Sequence, residues 1–193
     1  MKKVYVLAAL MAALIIFVIS VWLLLPSPQK YLEGFENGMG TWIADADVPE
    51  DPNNPGQPVE WRIRRVENPS HSGRFSLELF IDGRQDDGTI WIETKIESGR
   101  RSQVKVSFWF YSEEPSFNTL AVICTYIGAE NPEVEDDFYV LGPANEVAGW
   151  KKYEYSAVID SSQSGEVWVA VGISVRFETY LTYYLDDVEI IIS

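Results

Sequence analysis

Residues 166–176 read EVWVAVGISVR. Val167, Val169, Val171, Ile173 and Val175 occupy every second position, with Trp168, Ala170, Gly172, Ser174 and Arg176 between them. Successive side chains of a strand point to opposite faces, so this period of two predicts a strand with one unbroken apolar face. The same period recurs on the N-terminal side. Phe75, Leu77, Leu79 and Ile81 alternate with Ser76, Glu78 and Phe80; Ile90, Ile92, Thr94 and Ile96 alternate with Trp91, Glu93 and Lys95; Val104, Val106, Phe108 and Phe110 alternate with Lys105, Ser107, Trp109 and Tyr111. Further strands are predicted over residues 120–128, 151–159 and 183–192.

From Tyr31 onward no long stretch carries a helical period, and Asp82-Gly83, Asp87-Gly88, Ser98-Gly99 and Ser164-Gly165 mark turns between the strands. Each strand offers one apolar face and one mixed face. Two sheets that bury their apolar faces against each other give an all-β fold, a two-sheet antiparallel β-sandwich. Residues 45–58 carry four prolines and read as a surface loop. The folded part, residues 31–193, is the size of one domain.

Asp and Glu number 29 against 15 Lys and Arg, a formal charge of −14. Nucleic acid is thereby excluded as a partner, because its binding rests on cations that neutralise phosphates. The acidity suits divalent cations, neutral glycans or simple solubility. The single cysteine, Cys124, lies in an apolar run and reads as a buried free thiol.

Lys2 and Lys3 precede an apolar stretch from Val4 to Leu25, broken only by Ser20 and ended by Pro26. As a helix these roughly 22 residues span about 33 Å, enough for a bilayer core. No small-x-small cleavage site follows, so a retained signal-anchor transmembrane helix over residues 1–25 is expected rather than a cleaved signal. The lysines place the N-terminus in the cytoplasm. The expectation is a single-pass protein of the cell membrane, with a short linker at residues 26–30 and an extracellular domain.

The last strand contains Tyr184, Asp186, Val188, Ile190 and Ile192 on alternate positions. If Val188, Ile190 and Ile192 face the core, Asp186 and Tyr184 turn inward with them. A buried carboxylate needs compensation. Two accounts fit: a hard cation such as calcium, which takes six to eight oxygen ligands, or hydrogen bonds from backbone amides.

The ordered set Phe35-Glu36-Asn37-Gly38, Trp42, residues 71–77 (HSGRFSL), residues 106–110 (VSFWF), Gly149-Trp150 and residues 184–188 (YLDDV) resembles the carbohydrate-binding modules with a galactose-binding-like jelly roll. The likeness covers nearly all of residues 31–193. It implies a structural calcium joining the first and last strands. Its ligands would be the Glu36 side chain, backbone oxygens from Ser72 to Arg74, and Asp186. It also implies that His71 shapes a loop.

The mixed faces of the central strands carry Trp91, Trp109, Tyr111 and Trp168, with Glu93, Lys95 and Arg176 among them. Flat rings stack on the apolar faces of sugars while charged groups bond hydroxyls. Trp91, Glu93, Trp109, Tyr111, Trp168 and Arg176 are therefore the candidate glycan site. Loops or cross-strand pairs that cover these rings would serve packing instead. Such faces also suit a protein partner at the cell surface. Glu93 is the best candidate for a catalytic acid, but it has no evident partner, and neither a G-x-S-x-G nor an H-E-x-x-H motif is present. A non-catalytic module is expected.

Overall fold

The computed structural model describes residue 11, residues 14–17 and residues 27–193. The chain divides into two compact units, Met1–Gln29 with Ser193, and Lys30–Ile192. In the first, Met11 and residues 14–17 are helical and exposed, and no helix among the described residues is long and apolar enough to cross a membrane. The transmembrane signal-anchor is therefore not upheld. The membrane attachment and the single-pass topology, with a cytoplasmic N-terminus and an extracellular domain, are withdrawn with it. Lys2, Lys3, Trp22 and the rest of the 4–25 stretch lie outside the described residues.

The second unit is built of strands β1 (Gln29–Glu33), β2 (Ile43–Asp47), β3 (Trp61–Val66), β4 (Ser76–Asp82), β5 (Thr89–Glu97), β6 (Arg101–Ser112), β7 (Ala121–Gly128), β8 (Tyr139–Pro143), β9 (Gly149–Asp160), β10 (Glu166–Val175) and β11 (Tyr180–Ile192). One sheet runs β3-β4-β11-β6-β9, with β1 also on β11; the other runs β2-β5-β10-β7-β8. β10 pairs antiparallel with both β5 and β7. Its residues Val167, Val169, Val171 and Ile173 are fully buried. The alternate apolar residues of β4, β5, β6 and β11 join them in one core between the sheets. The expected 45–58 loop starts later, because β2 takes in Asp45–Asp47 and pairs with β5.

β11 contains the one departure from strict alternation that matters for the site. Asp186 pairs with Trp109 and Glu189 with Ser107, so an extra residue bulges out between them, and Asp187 there has φ of 49°. A bulge of this kind shifts the face on which every following side chain lies. Before it, Leu181, Tyr183 and Leu185 enter the core; after it, Val188, Ile190 and Ile192 do. Tyr184 and Asp186 therefore lie on the outer side of the sheet, not the inner side that unbroken alternation predicts.

Sheet pairing is tightest at Gly172, which stands opposite Trp91 on one side and Cys124 on the other. A Cβ built there would lie 2.1 Å from the Ile90 carbonyl oxygen and 2.7 Å from Trp91 Cβ. Backbone cannot yield cheaply, so Gly172→Ala is expected to destabilise the fold by about 3 kcal/mol, the upper end for overpacking. Urea denaturation checks this, and an unchanged midpoint would contradict the close approach.

Candidate functional site

The outer face of the β3-β4-β11-β6-β9 sheet carries a cross-strand row that reaches all five strands. In register order it is Trp150 on β9, Tyr111 on β6, Tyr184 on β11, Glu78 on β4 and Arg64 on β3. Four inter-strand spacings make it about 19 Å long. The Tyr111 ring lies 5.3 Å from that of Trp150 and 5.8 Å from that of Tyr184, distances at which tilted and edge-to-face ring pairs attract. Trp150 and Tyr111 are partly exposed. At the far end Glu78 accepts from Arg64 Nε and Nη2 and from Arg62 Nε, at 2.9–3.2 Å. Burial pushes the Glu78 carboxyl up, but the two guanidiniums outweigh it and hold it below its usual range.

One row along, the fully buried Asp186 organises residues 71–72. Its Oδ2 accepts from the backbone amides of His71 (2.8 Å) and Ser72 (3.1 Å), and its Oδ1 from that of Asp187 (2.7 Å). Asp187 in turn bonds His71 Nδ1 at 2.6 Å and accepts from Ser72 Oγ at 2.7 Å. The His71 ring is thereby laid on Trp109, centroids 3.9 Å apart and planes 16° apart, with its edge toward Trp150. His71 does shape this loop, and it also covers a face of Trp109. Desolvation raises the Asp186 carboxyl above its usual range despite the three amides.

These contacts decide the fit of a calcium ion. The residues named for it come together, but as donors to acceptors. Glu36 Oε1 accepts from the amides of Arg74 and Phe75, which hold its carboxyl low, and Ser72 donates to Asp186. The carbonyls of Phe35 and Glu36 are each met at 2.6 Å by the guanidinium of Arg65. A cation site needs oxygens converging on one point, whereas here N–H groups and a fixed positive charge converge on the oxygens. Among the described residues no three His, Cys, Asp or Glu side chains are grouped to hold a metal. The calcium staple expected at Glu36, Ser72, Arg74 and Asp186 is thus not supported by a metal-ligand cluster among the described residues: backbone amides take up the Glu36 and Asp186 carboxylates, and Arg65 takes up the carbonyls of Phe35 and Glu36.

The other sheet's outer face is covered. Trp91 is fully buried and Glu93 nearly so, because the β7–β8 connection folds over them. Phe138 packs on Trp91 at 4.9 Å. Glu135 accepts from Arg176 Nη1 (2.8 Å) and Thr89 Oγ1 (3.0 Å), and its amide donates to Asp47. What stays open is a dent of about 150 Å³ beside Cys124, Phe138 and Arg176. Trp91 Nε1 donates to Glu93 at 2.7 Å, yet burial, with Asp45 and Glu133 nearby, pushes the Glu93 carboxyl up.

The six expected ligand residues are thus divided between opposite faces. Trp109 and Tyr111 stand on the first, while Trp91, Glu93, Trp168 and Arg176 stand on the second. Trp168 is partly exposed beside Lys95, whose ammonium is 5.7 Å from its ring. Sequence reasoning missed Trp150, Tyr184, Glu78 and Arg64. Alternation on β9 would have turned Trp150 to the side away from Tyr153, but only the bulge brings out Tyr184.

No family model matches the chain, and no curated protein matches it. Solved structures do. The cleaved adhesin domain K3 of Lys-gingipain from Porphyromonas gingivalis aligns over 86% of this chain and 99% of its own, with 14% identity and a TM-score of 0.54. The xylan-binding domain of Paenibacillus barcinonensis Xyn10C aligns over 87% and 97%, with 14% identity and a TM-score of 0.51. A protein described among carbohydrate-binding modules of promiscuous specificity aligns over 80% of this chain and 59% of its own, with 14% identity and a TM-score of 0.54. At such identities the likeness is one of fold. The chain has the β-sandwich jelly-roll fold of carbohydrate-binding modules.

Asp186→Asn places an NH₂ where an oxygen now accepts amides, so it should cost about 2–3 kcal/mol, the scale of hydrogen bonds to a charged group. The loss should be equal with and without chelator; a loss seen only without chelator would contradict the amide account. For Glu93 the folded pKa lies above the unfolded value of about 4.3. Its penalty is absent below that value and complete once pH rises through the folded one. Glu93→Gln should therefore raise the urea midpoint at about pH 7.5 and change it little at about pH 4. A drop at the higher pH would contradict the assignment.

Proposed function

We propose that the domain is a non-catalytic glycan-binding module, and that the glycan lies along the row Trp150–Tyr111–Tyr184–Glu78–Arg64. The row itself carries this reading: three aromatic rings in contact across adjacent strands, ending in a fixed carboxylate–guanidinium pair. Rings supply apolar area at small conformational cost, and the pair supplies directional bonds for hydroxyls. Trp109 borders the row and holds His71, which limits one side of it. A sheet surface of this kind is rigid before binding, which keeps the ordering cost low.

Absence of catalysis follows from how the acid–base groups are engaged. His71 is bonded to Asp187 and stacked on Trp109. Glu93, the carboxyl with the raised pKa, lies beneath the β7–β8 connection where no glycosidic bond reaches it. Glycoside hydrolysis needs two carboxyl groups flanking the substrate, and the row offers only Glu78, committed to two arginines.

The full chain should bind members of a soluble oligosaccharide panel by calorimetry. Trp150→Ala and Tyr111→Ala should each weaken the best ligand about tenfold or more, in keeping with loss of a stacked ring, with melting nearly unchanged. Trp168→Ala should leave affinity as it is. Silence across the panel, or loss only in the Trp168 variant, would defeat the reading.

A further inference from the structure

Charged groups stand on both outer faces of the domain, and they are engaged differently on each. On the β2-β5-β10-β7-β8 side, Asp45, Asp47 and Glu93 are joined by Glu133, Glu135, Asp136 and Asp137 of the covering segment. The aromatic row on the opposite side is flanked differently. Arg62 and Arg64 share the single carboxylate Glu78, with Arg62 also reaching Glu60. Lys152 stands beside Trp109 in the register, next along β9 on the outer side from Trp150. It is exposed and in no ion pair among the described residues, whereas its neighbour Lys105 is tied to Glu154. Asp186, on the same row as Lys152, is turned to amides and fully buried. The exposed carboxylate whose charge reaches Tyr184 is Glu113, at the edge of the row away from Lys152.

The net charge of −14 does not set the potential at this face. Sheets of a sandwich pack about 10 Å apart, and side chains add to that on both sides. The Debye length at physiological salt is about 8 Å, so the acidic face is largely screened from the row. Local groups decide, and locally the free hydrogen-bonding capacity is cationic. Arg64 uses Nε and Nη2 on Glu78 and has its Nη1 unused, with more than half of its side chain exposed. A guanidinium held in place by one carboxylate presents its remaining N–H groups in a fixed plane, the geometry that a second carboxylate accepts.

We propose that the row selects an acidic glycan, one whose rings carry carboxylates. The rings lie over Trp150 and Tyr111, one carboxylate meets Arg64 and another meets Lys152. This inference rests on the glycan-binding reading above and adds the charge of the ligand to it. A neutral glycan would leave Arg64 Nη1 without a partner, and Lys152, whose charge acts on Glu154 beside it, without a bonded one.

The test compares an oligogalacturonate with its fully methyl-esterified form, which has the same rings and no charge, on the full chain by calorimetry at low and at physiological salt. The acidic form should bind about tenfold tighter at low salt, and this preference should shrink as salt rises, as expected of charge pairs near the surface. In Lys152→Gln and in Arg64→Gln the ratio of the two affinities should each fall about threefold or more, as for loss of one charge-assisted contact. Lys152 is an exposed side chain, so its variant keeps the test valid if Arg64→Gln unfolds. Equal or better binding of the ester overturns the acidic-glycan inference and leaves the glycan reading standing. An acid preference unaltered in both variants overturns the assignment to this row. If neither form binds, and no neutral glycan does, the glycan reading fails and this inference with it. Binding of polyglutamate as tight as that of oligogalacturonate would show a general polyanion surface and also overturn it.

Discussion

One extra residue in β11 organises the outer face on which the functional reading depends. The strand must bury Leu181, Tyr183 and Leu185 before the bulge and Val188, Ile190 and Ile192 after it, and a two-residue period cannot do both without an irregularity. The bulge at Asp187 resolves that conflict and turns Tyr184 and Asp186 outward. Tyr184 then completes the aromatic row between Tyr111 and Glu78. Asp186, now facing outward yet buried, is covered by residues 71–72, and three backbone amides offset part of its cost of desolvation. His71 is fixed on Trp109 as a consequence. Core packing, loop position and candidate site are thus linked through a single backbone feature.

The two outer faces have diverged in what covers them. On one, the β7–β8 connection buries Trp91 with Phe138 and anchors itself through Glu135 to Arg176 and Thr89. Burial pushes the Glu135 carboxyl up, but bonds from Arg176, Ser174 and Thr89 prevail and hold it low, whereas Glu93 beneath the same segment is raised. Ion pairing thus favours closure while the buried acid opposes it. On the other face Tyr184 and Glu78 are buried within the row, while Trp150, Tyr111 and Arg64 keep surface for a ligand. Aromatic content alone does not distinguish these outcomes, since each face carries its share of tryptophan.

The all-β class and the core faces of β4, β5, β6 and β10 were legible in the sequence, while the proximity of Glu36 to Arg74 and of Ser72 to Asp186 was implied by the resemblance to carbohydrate-binding modules. Alternation is a local signal, and these strands obey it. Three things were not legible. The bulge has no residue signature in Leu185-Asp186-Asp187-Val188, which also reads as continuous strand. Arg65 is 29 residues from Glu36 in the chain, so its role as the positive charge near Phe35 and Glu36 emerges only when β3 is placed. The burial of Trp91 depends on a polar segment, residues 129–138, whose acidic composition reads as a solvated loop. The apolar stretch at residues 4–25 shows a further limit. Hydropathy reports what a segment could do in a bilayer, and among the described residues no helix is long and apolar enough to span one.

The central claim is that ligand meets the outer face of the sheet containing β6, β9 and β11. Indole N–H resonances of the full chain, assigned by single Trp→Phe variants and followed by NMR during titration with an oligosaccharide that binds, report on that claim face by face. The structure-based account predicts shifts at Trp150 and Trp109, with Trp91 and Trp168 unmoved. Shifts confined to Trp91 and Trp168, with Trp150 unmoved, would contradict it and assign recognition to the face now covered by the chain's own segment.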